Sequence, residues 1–70
     1  MSAPGEIVVN GEPRRVAPGE TVAALLDALG TEPRGVAVAV DGEVVPRRTW
    51  AEATFGGGER VEILSIAQGG

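Results

Sequence analysis

The chain ends "IAQGG", residues 66–70. Gly69 and Gly70 bring no side-chain chemistry, so any work done there belongs to the main chain. A glycine pair takes extended or left-handed conformations that other residues avoid. It can thread a narrow passage and leave a terminal carbonyl open to attack. An α-carboxyl at Gly70, with a pKa of about 3.5, is ionised at neutral pH and a poor electrophile. It reacts at its carbonyl carbon only after activation. The bland alternative is a slack tail, since 11 of the 70 residues are glycine. A second glycine run, "GGG" at 56–58, could in principle cradle a phosphate on backbone N–H groups. No Lys follows it and no strand-to-helix context surrounds it, so it reads as a flexible connection. Arg47 and Arg48 read as solvated surface charges, with rim contacts of an interface as the other reading.

Composition removes most other chemistry. There is no Cys and no His. Disulfides, thiolate nucleophiles and imidazole bases or ligands are therefore excluded, and the sequence offers no catalytic or metal-ligating set. A net charge of −4 argues against nucleic acid, whose phosphates need a basic face. No apolar run approaches the roughly 20 residues of a membrane span, which argues against a membrane. The start, "MSAPGEIVVN", lacks the basic and apolar regions of a secretion signal. A cytoplasmic location is expected. All six basic residues are Arg. Codon bias accounts for that, and a chain with an activated carboxyl would also gain from lacking amines.

Elements that could position such an end are legible along the chain. Residues 1–5 read as a disordered leader. "EIVVN" (6–10) is a β-rich run, "NG" (10–11) a hairpin turn, and "RRVA" (14–17) the returning strand. "TVAALLDALG" (21–30) reads as a helix, with Thr21 as N-cap and Gly30 in the left-handed position that ends it. Val22, Leu25, Leu26 and Leu29 share one face. "VAVAVDGEVV" (36–45) alternates large Val36, Val38 and Val40 with Ala37 and Ala39, then turns at "DG" and pairs back. Pro46 ends that strand. "RRTW" (47–50) is a turn or a single helical turn, with Trp50 plugging one end of the core. The last strand is "RVEILSI" (60–66), and 67–70 form a flexible tail.

One helix and four to five strands favour an α+β domain over 6–66 in which a mixed sheet curls over the helix. With the first and last strands adjacent and parallel at the centre, this is a β-grasp arrangement. The inward set is Ile7, Val9, Val16, the four helix positions, Val36, Val38, Val40, Val61 and Ile63, with Trp50 and Phe55 at the edges. Alternation then turns Leu64 and Ile66 outward, and Val8 likewise on the neighbouring strand. Three aliphatics on an open sheet face make a candidate docking patch beside the tail.

"VNGEPRRV", "GETVAALLDALG", "VAVAVDGEVVPRRTW", "GGGERVEIL" and the terminal "GG" together resemble the ThiS family of ubiquitin-like sulfur carriers. The resemblance covers about residues 6–70, and "DGEVVPRRTW" (41–50) is its most discriminating part. Gln68 departs from the small or apolar residue common before the glycines. The resemblance implies that the Gly70 carboxylate is adenylated by a partner of the ubiquitin-activating type, a ThiF-type adenylyltransferase, which consumes ATP. The carrier itself binds no cofactor. A sulfur donor then converts Gly70 to a thiocarboxylate, which supplies a ThiG-type thiazole synthase in thiamine biosynthesis. Ala67, Gln68 and Gly69 would thread the partners' channels, and Val8, Leu64 and Ile66 would dock them. The chain is then a protein substrate and carrier and not an enzyme. Rival readings are a small subunit of molybdopterin synthase of the MoaD type, a protein modifier and a plain interaction module. The absence of proline in "ILSIAQGG" favours the thiamine carrier over the MoaD type.

Overall fold

Two turns set the sheet. Asn10 and Gly11 have φ 49° and 85°, and Asp41 and Gly42 have φ 52° and 86°. Two successive left-handed residues make the type I′ turn, whose twist matches that of a hairpin. In the computed structural model, which describes residues 5–66, the first turn joins β1 (Glu6–Val9) to β2 (Glu12–Arg15). The second joins β3 (Val36–Val40) to β4 (Glu43–Val44). The last strand, β5 (Arg60–Ser65), lies between the hairpins, giving the order β2-β1-β5-β3-β4. It runs parallel to β1 and antiparallel to β3. One helix, α1 (Val22–Ala28), completes the β-grasp fold expected from the order of elements.

The returning strand of the first hairpin differs from expectation. It spans Glu12–Arg15 instead of 14–17, because the two-residue turn pairs Val9 with Glu12 directly. Pro13 sits inside it. The Val8 N–H points away, to the Glu59 carbonyl at 3.0 Å, so the Val8–Pro13 pair needs no amide from the proline. β2 is an edge strand, where proline is tolerated. Gly5, assigned above to the leader, accepts the Val16 N–H on its carbonyl at 2.6 Å. The rest of the leader, 1–4, and the tail, 67–70, lie outside the described residues.

Helix α1 has every first-turn N–H satisfied. The Val22 N–H donates to Ala53 O at 2.9 Å, Ala23 to Trp50 O at 3.0 Å, and Ala24 to the Thr21 hydroxyl at 3.1 Å. At the other end Gly30, at φ 71°, donates to Asp27 O, and Thr31 to Leu26 O. This is a Schellman cap, in which a left-handed residue satisfies the last carbonyls.

The core is Ile7, Val9, Val16, Val22, Leu25, Leu26, Val36, Val38, Trp50, Phe55 and Val61. Val40 and Ile63 pack against it half-buried. Leu29 is the exception to the expected inward set, at 36% exposed. The helix stops at Ala28, so Leu29 is the C-cap, and the chain turns away before its side chain can complete the stripe.

The turn at Arg47–Thr49 is a single helical turn closed by Pro46 O, which accepts from the Thr49 N–H at 2.9 Å and its hydroxyl at 2.8 Å. Trp50 is buried and donates its indole N–H to Val45 O at 2.9 Å. Arg47 is at the surface, as expected, but its guanidinium is also engaged by the protein. Its guanidinium donates to the carbonyls of Pro33 and Val36 and lies 4.8 Å from the centre of the Trp50 ring. It ties the loop before β3 to the loop after β4. Arg47→Ala is expected to lower the unfolding free energy by about 1–2 kcal/mol, with Arg47→Lys recovering only part because an ammonium lacks the planar fork. Urea titrations of the three proteins check this. Equal midpoints would contradict the strut.

Candidate functional site: the outer sheet face and the end of β5

Strand β5 has two faces by alternation, and its neighbours decide what each meets. Val61 is fully buried and Ile63 half-buried, both facing α1. Glu62 and Leu64 face outward, and Ile66 follows in phase. Leu64 is 56% exposed and Ile66 45%. The β3 register sets Ala37 opposite Leu64 and Ala39 opposite Glu62. The β3–β4 register sets Val44 opposite Ala39, and Val44 is 72% exposed. Leu64, Ile66, Ala37, Ala39 and Val44 therefore share one open face with Glu62, apolar around Leu64 and Ile66 towards the end of β5 and carrying the Glu62 carboxylate at the level of Ala39 and Val44.

Val8 does not join them. It lies on the same face, half-buried, but its level on β5 is Arg60. Leu64 is four residues further along the strand, about 13 Å at roughly 3.3 Å per residue. Parallel pairing fixes this: β1 meets the start of β5, and Leu64 and Ile66 lie near its end. The patch extends towards β4 instead, through Val44. That residue was within reach of the sequence. An Asp-Gly two-residue turn pairs 40 with 43 and 39 with 44, which places Val44 on the alanine face of β3.

The glycine run at 56–58 holds an anion already, its own. The Glu59 carboxylate accepts from the Gly56 N–H at 2.8 Å and the Gly57 N–H at 2.7 Å. Gly58 donates to Glu6 O at 2.7 Å. The amides that might cradle a phosphate close the loop instead. Arg48 is exposed beside the same turn as Arg47. Gly70, Gly69, Gln68 and Ala67 lie outside the described residues.

Comparison with known proteins bears on what this face and tail belong to. The sequence profile of the ThiS family matches residues 7–70. The chain belongs to the ThiS family. It is similar to the sulfur carrier protein ThiS of Escherichia coli, with 31% identity over 65 residues, 93% of this chain and 98% of that one. It is also 38% identical over 65 residues to a thiazole synthase of Paramagnetospirillum magneticum, where the matched stretch is 93% of this chain and 20% of that protein. The chain thus spans about a fifth of that relative's length. Among solved structures, the crystal structure of the thiamine biosynthesis protein ThiS from Geobacter metallireducens superposes with a TM-score of 0.75 at 35% identity, covering 93% of this chain and 99% of that one. The solution structure from the same organism gives 0.70 at the same identity. These ThiS neighbours share the single helix on a five-stranded mixed sheet. No helix among the described residues is long and apolar enough to cross a membrane.

Proposed function

We propose that this chain is a sulfur carrier of thiamine biosynthesis that works through a C-terminal Gly70 carboxylate. The observation that carries the reading is the match to the Escherichia coli sulfur carrier over 93% of this chain and 98% of that one, together with a family profile that runs through residue 70. A carboxylate oxygen of Gly70 attacks the α-phosphorus of ATP on a ThiF-type adenylyltransferase. Pyrophosphate leaves and an acyl-adenylate forms. A hydrosulfide equivalent from a sulfur donor then adds to the Gly70 carbonyl carbon and expels AMP, leaving a thiocarboxylate. ATP is consumed by the partner, and this chain binds no cofactor and performs no catalysis of its own. Residues 67–69 pass through the partner's channel, where the missing Cβ of glycine matters. The reactions take place in the cytoplasm, with no part for nucleic acid or membrane.

The thiocarboxylate then delivers sulfur to a ThiG-type thiazole synthase. The relative bearing that name supports this partner, since a segment similar to this chain makes up 20% of its length. Proteins that act in sequence gain when one tether holds both, because the second encounter becomes intramolecular.

Docking is assigned to the outer sheet face, with Leu64 and Ile66 at its centre, Val44 extending it, and Val8 a separate contact further down the sheet. Leu64→Asp places a charge where apolar surface is to be buried. It is expected to weaken binding to the adenylyltransferase by about tenfold or more, since fully burying a leucine side chain is worth about 1.5–3 kcal/mol. The fold is retained, because Leu64 is already more than half exposed. Isothermal titration beside a thermal melt tests this, and unchanged affinity would remove the patch from the account. The proposed activity itself is tested by mixing the purified chain, a ThiF-type enzyme and ATP. Pyrophosphate release that depends on the chain is expected, and none would contradict the carrier reading.

A further inference from the structure

The main chain of β1 stops pairing with β5 one step too early, and a side chain takes over. The Val8 N–H donates to Glu59 O and the Asn10 N–H to Val61 O, at 3.0 and 2.9 Å. In a parallel ladder, the carbonyl of residue 10 and the amide of residue 12 would next serve Ile63. The left-handed turn at Asn10 and Gly11 has carried the chain away by then. The Asn10 side-chain amide makes both bonds instead. Its Oδ1 accepts the Ile63 N–H at 2.8 Å, and its Nδ2 donates to Ile63 O at 3.2 Å. Past this clamp, β5 continues to pair with β3: Ser65 faces Val36, and the Ile66 N–H reaches Gly35 O at 2.8 Å.

We propose that Asn10 is a positioning residue for the carrier end: its amide fixes the end of β5, and with it Leu64, Ile66 and the point from which residues 67–70 depart. This role rests on the carrier reading above. The turn by itself requires only a residue tolerant of positive φ, and glycine meets that requirement. The paired donor and acceptor of an asparagine amide are a further requirement, one that, among the described residues, the β5 contact uses.

Asn10→Gly separates the two. It keeps the turn and removes the clamp. Amide exchange at Ile63 is expected to accelerate about tenfold, the worth of a typical hydrogen bond. The amides of residues 8 and 10 should stay protected, since their acceptors are on the main chain. In the ATP-dependent pyrophosphate assay with a ThiF-type enzyme, well below the melting temperature, the KM for the variant is expected to rise severalfold with kcat little changed. Asn10→Asp keeps the acceptor for the Ile63 N–H but sets an oxygen against Ile63 O, so an intermediate KM is expected. Wild-type KM in both variants, despite faster exchange at Ile63, would overturn the positioning role and leave the carrier reading standing. If Asn10→Gly does not fold, Asn10→Asp alone decides, and a wild-type KM overturns the proposal. No pyrophosphate release from the wild-type chain would instead remove the carrier reading, and this role with it.

Discussion

Deleting Gly69 and Gly70 is expected to reduce ATP-dependent activation of this chain to background while leaving its melting temperature unchanged. Among the described residues, every buried residue of the core lies between Ile7 and Val61, which is the ground for expecting an unchanged melting temperature. Docking should survive too, because the outer face is built from β3, β4 and the end of β5. On the proposed carrier reading, what is lost is the Gly70 carboxylate at the length that the adenylyltransferase would accept. After deletion the chain would end on Gln68, two residues short and with a side chain at the reacting position. Binding retained with activation gone would separate handle from substrate. Activation at the wild-type rate would mean that the terminal glycines are slack.

The second large effect is on stability. Leu25→Ala is expected to cost about 3 kcal/mol, within the range for truncating a buried leucine. Leu25 is 0% exposed. A domain of this size rarely has more than about 3–5 kcal/mol to lose. The melting temperature should fall by about 12–24 °C, at roughly 4–8 °C per kcal/mol for a small domain. Leu29→Ala is the matched control, since the two leucines are one helical turn apart and alike in the hydrophobic pattern. Leu29 caps the helix half in solvent, so a cost below about 1 kcal/mol is expected. Thermal melts of the pair test this directly. Equal losses would place Leu29 in the core after all.

That contrast marks the limit of what the sequence could say. The helical period identifies which residues share a face. It does not say where a helix stops relative to the sheet beneath it, and Leu29 lies at that boundary. The turns were more informative: "NG" and "DG" fix two-residue loops, and these fix register. Applied strictly, the same rule would have put β2 at Glu12 and Val44 on the outer face. The proline in β2 concealed the first, because proline reads as a breaker until its strand is known to be an edge. The central parallel pair followed from element order and the single helix. Arg47 and Asn10 were not legible as structural residues. Each bonds to main-chain groups of a distant segment, 53 residues away for Asn10 and Ile63, and no local pattern announces such a contact. The docking patch was half legible: alternation turned Leu64 and Ile66 outward, but only the parallel register separates Val8 from them.

On the proposed function, Gly70 carries sulfur. The direct test is to isolate the chain from cells that contain its native partners, record its intact mass and map the C-terminal peptide. Replacement of one oxygen by sulfur is expected on the peptide ending at Gly70. Mapping is essential, because oxidation of Met1 adds nearly the same mass at the other end. An unmodified Gly70 peptide, persisting after ATP, an adenylyltransferase and a sulfur source are supplied, would contradict the account.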